Sequence, residues 1–199
     1  MLLYANSEMN LEIYPLDSNR WDDFEALFGA RGGCGGCWCM AWRLKRSDFE
    51  RQKGHVNKLA MRKLVDQNEK VGVLAYLDGQ PSGWCAVAPR EVYPRLENSK
   101  VWKRIDDEPV WAITCFFVAK SLRRKGLSFE LLQGAINYCK LNDVKVIEGY
   151  PVVPYSDNIP AAFAWTGIPS VFARAGFVVA ARRSPSKPVM RYYVVSSQD

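Results

Sequence analysis

The order of apolar runs and turns in this 199-residue chain predicts an α/β fold in which about seven strands form one mixed sheet. Three observations carry the prediction. The run from Val110 to Tyr150 reads as a buried strand (110–118), a basic glycine turn (123–128), an amphipathic helix and a second strand (144–150). Two strands joined through a helix in this way make a right-handed parallel crossover. Upstream, the apolar runs 71–77 and 82–88 flank Asp78-Gly79, a strong signal for a hairpin. Downstream, two final strands fall near 177–183 and 189–195.

The other elements follow in order. Leu11–Pro15 alternates and reads as a first, edge-like strand, closed by Pro15, which has no N–H for a ladder. Asp17 or Ser18 can cap a short helix through Phe28, with Trp21, Phe24, Leu27 and Phe28 on one face. A glycine- and cysteine-rich loop follows. Val56, Leu59, Ala60 and Leu64 then mark the apolar face of a second helix. Residues 89–109 are irregular, with room for one short helix. After Gly126, Leu131, Leu132, Ala135, Ile136 and Cys139 form a stripe that should bury against the sheet. Residues 151–160 read as a loop, and a short helix near 169–175 precedes the last two strands.

A chain of this length, 48% hydrophobic, can bury one sizeable core, so a single domain over 1–199 is expected. No apolar run approaches the length of a membrane span, and the first residues lack the basic-then-apolar plan of a signal peptide. The six cysteines are therefore expected to be reduced, in the cytoplasm. The net charge of +6 suits an anionic ligand. No arginine-rich stripe interleaved with aromatic residues argues for nucleic acid.

A strand feeding a tight turn that opens a helix aims backbone N–H groups and the positive helix end at one point, where a pyrophosphate can sit. Gly126 lets the backbone approach a ligand because it has no Cβ. Arg123, Arg124 and Lys125 add charge beside it. Ligands of open α/β sheets bind beyond the carboxyl ends of parallel strands, which makes Val118 and Tyr150 the floor of the site.

At these residues the chain resembles the GNAT superfamily of acyl-CoA-dependent N-acyltransferases. The family motif Arg/Gln-x-x-Gly-x-Gly/Ala follows a strand ending in Val-x-Pro. Here Val118, Arg123, Gly126 and Ser128 stand at those positions, with Lys120 replacing proline and Ser128 the final Gly/Ala. Ala175-Gly176-Phe177 resembles a later landmark of the family. The resemblance implies a mostly antiparallel sheet with helices on both faces, its parallel strand pair flanking the cofactor-binding helix. It also implies acetyl-CoA as acyl donor, no metal, and direct transfer to a primary amine of a small molecule or protein. Homodimers are common in the family. Carried onto this sequence, the backbone of Phe116, Phe117 and Val118 would pair with the pantetheine arm and face the thioester oxygen. N–H groups of Arg124, Lys125, Gly126, Leu127 and Ser128 would hold the pyrophosphate.

Many members carry a tyrosine four residues before the later glycine, but here that residue is Phe172, which has no proton to give. Tyr150, Tyr155 or Ser156 could take the role, or the thiolate could leave unaided. Glu148, near the carboxyl end of its strand, is a candidate base or acceptor contact, and a structural salt bridge is the other reading. Asp157 is a further candidate in the following loop. Among the aromatic residues after the glycine loop, Trp38 and Trp42 could line the acceptor pocket or pack in the core. Cys34, Cys37 and Cys39, with His55, could hold a metal or form a redox couple, but glycines in an adaptable loop with hydrophobic cysteines fit the spacing better. Two other functions stay open at this level: a module that binds acyl-CoA without turnover, and a metal or redox sensor built on the cysteine loop.

Overall fold

Tyr4–Asn6 (β1) and Leu11–Pro15 (β2) form an antiparallel pair. In the computed structural model, which describes residues 1–155 and 165–195, β1 is one edge of the sheet and β2 lies inside it. The expectation of an edge strand at Leu11–Pro15 is therefore corrected. Three residues are too few to show alternation, so β1 leaves no mark in the sequence. Its turn closes on Asn10, which takes the left-handed conformation (φ 46°) that asparagine tolerates.

Gly72–Leu77 (β3) and Gln80–Pro89 (β4) make the hairpin foreseen at Asp78-Gly79. Val110–Val118 (β5), a helix over Leu127–Lys140 (α5) and Val146–Gly149 (β6) form the parallel crossover. Val178–Ala181 (β7) and Val189–Tyr193 (β8) complete eight strands in the order β1-β2-β3-β4-β5-β6-β8-β7, where seven were expected. Every neighbouring pair except β5–β6 is antiparallel.

Successive strand residues face opposite sides, so each helix layer meets its own set. Leu127, Leu131, Leu132, Ala135, Ile136 and Cys139 of α5 bury against Ile13, Val73, Cys85, Val87 and Ile113, as the stripe predicts. Pro169–Arg174 (α6) adds Phe172 to this layer. The opposite face takes helices Trp21–Phe28 (α1) and His55–Asp66 (α3), which pack with residues 38–40 on Leu74, Trp84, Ala86 and Cys115. Arg46–Gln52 (α2) and Pro94–Glu97 (α4) are short connections. The first of these buries only Phe49, too little to give a periodic pattern.

The apolar face assigned to α3 needs correction. Val56 and Leu59 are 51% and 54% exposed, and Asn57, Met61 and Val65 point inward instead. The polar Asn57 takes a core position because its Nδ2 donates to the Gly36 carbonyl of the glycine loop, at 3.3 Å. Met61→Ala should accordingly cost about 2–5 kcal/mol, while Leu59→Ala should stay within about 0.5 kcal/mol. Urea denaturation of the two variants checks the assignment.

Candidate active site

Strand β5 has nine residues and β6 has four, and they pair only from Val110–Val146 to Ile113–Gly149. Beyond that point β4 still accompanies β5 on one side, as far as Gly83–Val118. On the other side the two parallel strands part, which leaves a slot beside Thr114–Val118. At the end of β5 the chain turns through a single helical turn at Lys120–Leu122, and the Arg123 Nε donates to the Val118 carbonyl at 3.1 Å. Gly126 (φ 85°) precedes the first turn of α5, and no side chain caps that end. Its first N–H groups have no partner within the helix. A Cβ on Gly126 would meet nothing within 4 Å, so the approach to them is open. Arg123, Arg124, Lys125 and Gly126 are exposed, Ser128 is half-buried, and Leu127 anchors the turn in the core.

The slot itself is filled. The Phe116 N–H, on the side that β6 has left, donates to the Trp165 carbonyl at 2.6 Å. The Gly167 carbonyl accepts from the Val152 N–H at 3.0 Å. Trp165 belongs to the α1 side of the sheet and Phe172 to the α5 side, so the chain crosses between the parted strands. Phe172 is fully buried, with its ring edge-on to Phe116 at 5.9 Å and to Phe177 at 5.0 Å.

Glu148 and Tyr150 come together as a closed unit. The Tyr150 hydroxyl donates to Glu148 Oε2 at 2.5 Å, and Arg90 Nη1 donates to that same oxygen at 3.0 Å and to the hydroxyl at 2.5 Å. Arg191 Nε donates to Oε1 at 2.9 Å and its other nitrogens grip Asp106. Glu148 is 1% exposed, so both of its oxygens are satisfied inside the protein. Burial first, and then the neighbouring carboxylate, push the Tyr150 phenol far above its ordinary range. The hydrogen bonds that Arg191 donates to Asp106 and then to Glu148 hold its guanidinium firmly charged. Glu148 is thus the centre of a buried salt bridge to two arginines. Arg90, its central cation, carried no signal in the sequence beyond being one arginine among many.

The two tryptophans part company. Trp38 packs with Trp21, Phe24 and Phe28 and edges a surface pocket of about 480 Å³ shared with Glu25, His55 and Lys58. Trp42 lies nearer the slot, stacked on Trp165 (centroids 5.6 Å, 27°) and against Trp102 at 5.3 Å. The indole N–H groups of Trp42 and Trp102, the Tyr93 hydroxyl and the Thr166 hydroxyl are buried without a hydrogen-bond partner among the described residues. Trp102 and Trp165, which complete the aromatic group, sit in stretches with no periodic pattern to single them out. Tyr155 is exposed, and Ser156 and Asp157 lie outside the described residues.

Cys34 is exposed, Cys37 half-buried and Cys39 buried. The Trp84 indole donates to the Cys39 sulfur at 3.0 Å. The Cys115 thiol and that indole lower the Cys39 pKa, while the same contact and burial raise Cys115. Among the described residues no three His, Cys, Asp or Glu side chains gather as a metal site, and no helix is long and apolar enough to cross a membrane.

Residues 38–161, more than half of the chain, match the family model for the acetyltransferase (GNAT) family. The chain belongs to that family. Solved structures with the same fold include the PaiA N-acetyltransferase from Thermoplasma acidophilum in complex with coenzyme A (16% identity, TM-score 0.53), covering 94% of this chain and all of that one. A GNAT-family acetyltransferase from Streptococcus agalactiae is similar at 15% identity and TM-score 0.56, with 98% of this chain and 99% of that one covered. A third, from Listeria monocytogenes, is 11% identical with TM-score 0.56, covering 98% and 100%. No curated protein matches the sequence. This GNAT acetyltransferase is thus an acyltransferase, and acetyl-CoA is the donor of its family.

Removing Glu148 from the buried unit would leave Arg90 and Arg191 facing each other without their shared anion. Glu148→Ala should therefore lose about 3–5 kcal/mol of stability, read as a fall in the urea midpoint with little change in slope.

Proposed function

We propose that the enzyme transfers acetyl from acetyl-CoA directly to a primary amine, with the donor's pyrophosphate at the 123–128 turn and its pantetheine arm along Phe116–Val118. The observation that carries this reading is the juxtaposition of two features. An uncapped helix N-terminus lies behind an exposed glycine and three exposed basic side chains, and it adjoins the slot where β5 has lost its parallel neighbour. The turn fits an anion without rearrangement, because Gly126 leaves its approach open. The donor supplies an activated thioester. What the chain supplies is the Phe116 N–H, placed to strengthen its hydrogen bond as negative charge grows on the thioester oxygen.

The acceptor amine enters from the face that holds Trp42, Trp102 and the Glu148 unit. Its nitrogen bonds to the acyl carbon, the carbon–sulfur bond breaks, and the amine proton passes to solvent. An alkylammonium with pKa about 10.4 must first lose a proton near pH 7, uphill by roughly 4–5 kcal/mol. The leaving thiol, near 8.5, needs far less help, which is why Phe172 can stand where relatives carry a tyrosine. Glu148 acts here as a positioning residue. Its carboxylate is saturated by Arg90, Arg191 and Tyr150, and it fixes the floor of the acceptor side.

A screen of primary amines with acetyl-CoA, following free thiol, identifies the acceptor. Gly126→Asp should abolish coenzyme A binding in calorimetry, since the added carboxylate projects into open space and repels the pyrophosphate, while the strain of a side chain at φ 85° stays local because aspartate tolerates the left-handed region. Unchanged affinity would refute the placement of the donor. With an acceptor in hand, Glu148→Gln should lower kcat/KM by a similar factor at every pH. A loss confined to neutral pH and rescued at high pH would instead make Glu148 the base.

A further inference from the structure

The three residues Trp165–Gly167 lie where the reading above needs the donor. The Trp165 carbonyl takes the Phe116 N–H at 2.6 Å, the donor assigned to the thioester oxygen. The segment runs in the slot between parted β5 and β6, and Gly167 (φ 87°) is what lets it enter. A Cβ there would stand 2.6 Å from the Phe172 ring and 3.2 Å from that of Phe116. The Trp165 ring closes the same slot toward the acceptor side by stacking on Trp42.

We propose that Trp165–Gly167 is an internal competitor of the acyl donor: a carbonyl and backbone that occupy the thioester's place and leave when acetyl-CoA binds. The inference rests on the donor site assigned above, and it adds a regulated occupancy that the site's chemistry does not require. One peptide carbonyl and one thioester carbonyl present the same acceptor to a single N–H, so they exclude one another. The segment's hold is incomplete in a way that suits displacement. The Thr166 hydroxyl is buried with no partner among the described residues, and so is the indole N–H of Trp42 beneath the Trp165 ring. Unpaired buried groups penalise the closed arrangement, and the rarity of the open one penalises donor binding. Apparent donor affinity is the intrinsic affinity scaled by the fraction of molecules with the slot open.

The test compares calorimetric affinities of wild type, Trp165→Ala and Gly167→Ala for acetyl-CoA and for 3′-phospho-ADP, the half of the donor that reaches only the turn. Trp165→Ala removes the stacking on Trp42, and Gly167→Ala drives the segment off Phe116 and Phe172 by bulk. Acetyl-CoA should bind at least about fivefold more tightly to either variant that folds, because the closed state loses roughly one contact's worth of stability. Affinity for 3′-phospho-ADP should stay within about twofold. Equal acetyl-CoA affinity in wild type and variants, or weaker binding to the variants, overturns the proposal. Hydrogen exchange on the wild-type protein gives the readout that needs no variant. Saturating acetyl-CoA should deprotect the peptide containing Val152, whose N–H donates to the Gly167 carbonyl, while protecting that containing Gly126–Phe129. Protection of both segments overturns the competitor but leaves the donor site standing. Protection of neither, with no acetyl-CoA binding to any form, overturns the donor site and the competitor together.

Discussion

Strand β5 keeps a parallel partner over four of its nine residues, and the N–H groups beyond Ile113 on that side have to be satisfied by something other than β6. A backbone group left unpaired in a buried setting is costly. The fold therefore holds an unsatisfied demand for a hydrogen-bond acceptor at one place, between its two helix layers. In this chain the Trp165 carbonyl meets it, and in the proposed reaction a thioester oxygen does. The neighbouring demand, at the free N–H groups opening α5, is for an anion. The distance between the two demands is set by the turn that joins β5 to α5, so both are fixed by the same covalent connection.

Close to the end of β6, a buried network is packed around Glu148. Ala88 and Ala112 stand in the row leading to Glu148 and Arg191, and their small side chains leave room for the Arg90 guanidinium, Trp102 and Tyr150 above the sheet. Burying three charged groups costs solvation that their attraction repays only if each hydrogen-bonding position is used. Here Arg90 spends its nitrogens on Glu97, Glu148, Tyr150 and the Trp102 carbonyl, while Arg191 divides its own between Glu148 and Asp106. Such a unit adds little net stability compared with an apolar core, but it tolerates one geometry only. It locks the 90–106 connection to the end of β6.

The parts of this structure that were legible in the sequence are those where one local rule dominates. Asp78-Gly79 dictated its hairpin, the stripe from Leu131 to Cys139 dictated the face of α5, and the turn at Gly126 dictated both the crossover and the donor end of the site. The parts that were not legible depend on partners distant in the chain. Asn57 displaced Val56 from the core because of Gly36, twenty-one residues away. Glu148 could not be sorted between base and salt bridge without Arg90 and Arg191, which lie 58 residues before it and 43 after. Trp42 and Trp38 looked equivalent as neighbours in one loop, yet the chain turns between them and sends them to different clusters. No periodicity encodes a carbonyl such as that of Trp165, since every residue has one.

In the proposed reaction, the surroundings of Glu148 also bear on how the acceptor amine becomes reactive. Two guanidinium groups, both almost wholly buried, face one buried carboxylate. The other acids of the network, Glu97 and Asp106, have partly exposed side chains. Solvent and salt screen the outer carboxylates more than the inner cations. A protonated amine brought to this face from the Trp42 side loses its water against aromatic rings. That desolvation favours the neutral amine, which is the nucleophile. The aromatic face can in this way lower the cost of deprotonation without any group of the network accepting a proton. A carboxylate whose oxygens are taken by two arginines and a phenol is thus compatible with catalysis of this type as a positioning group.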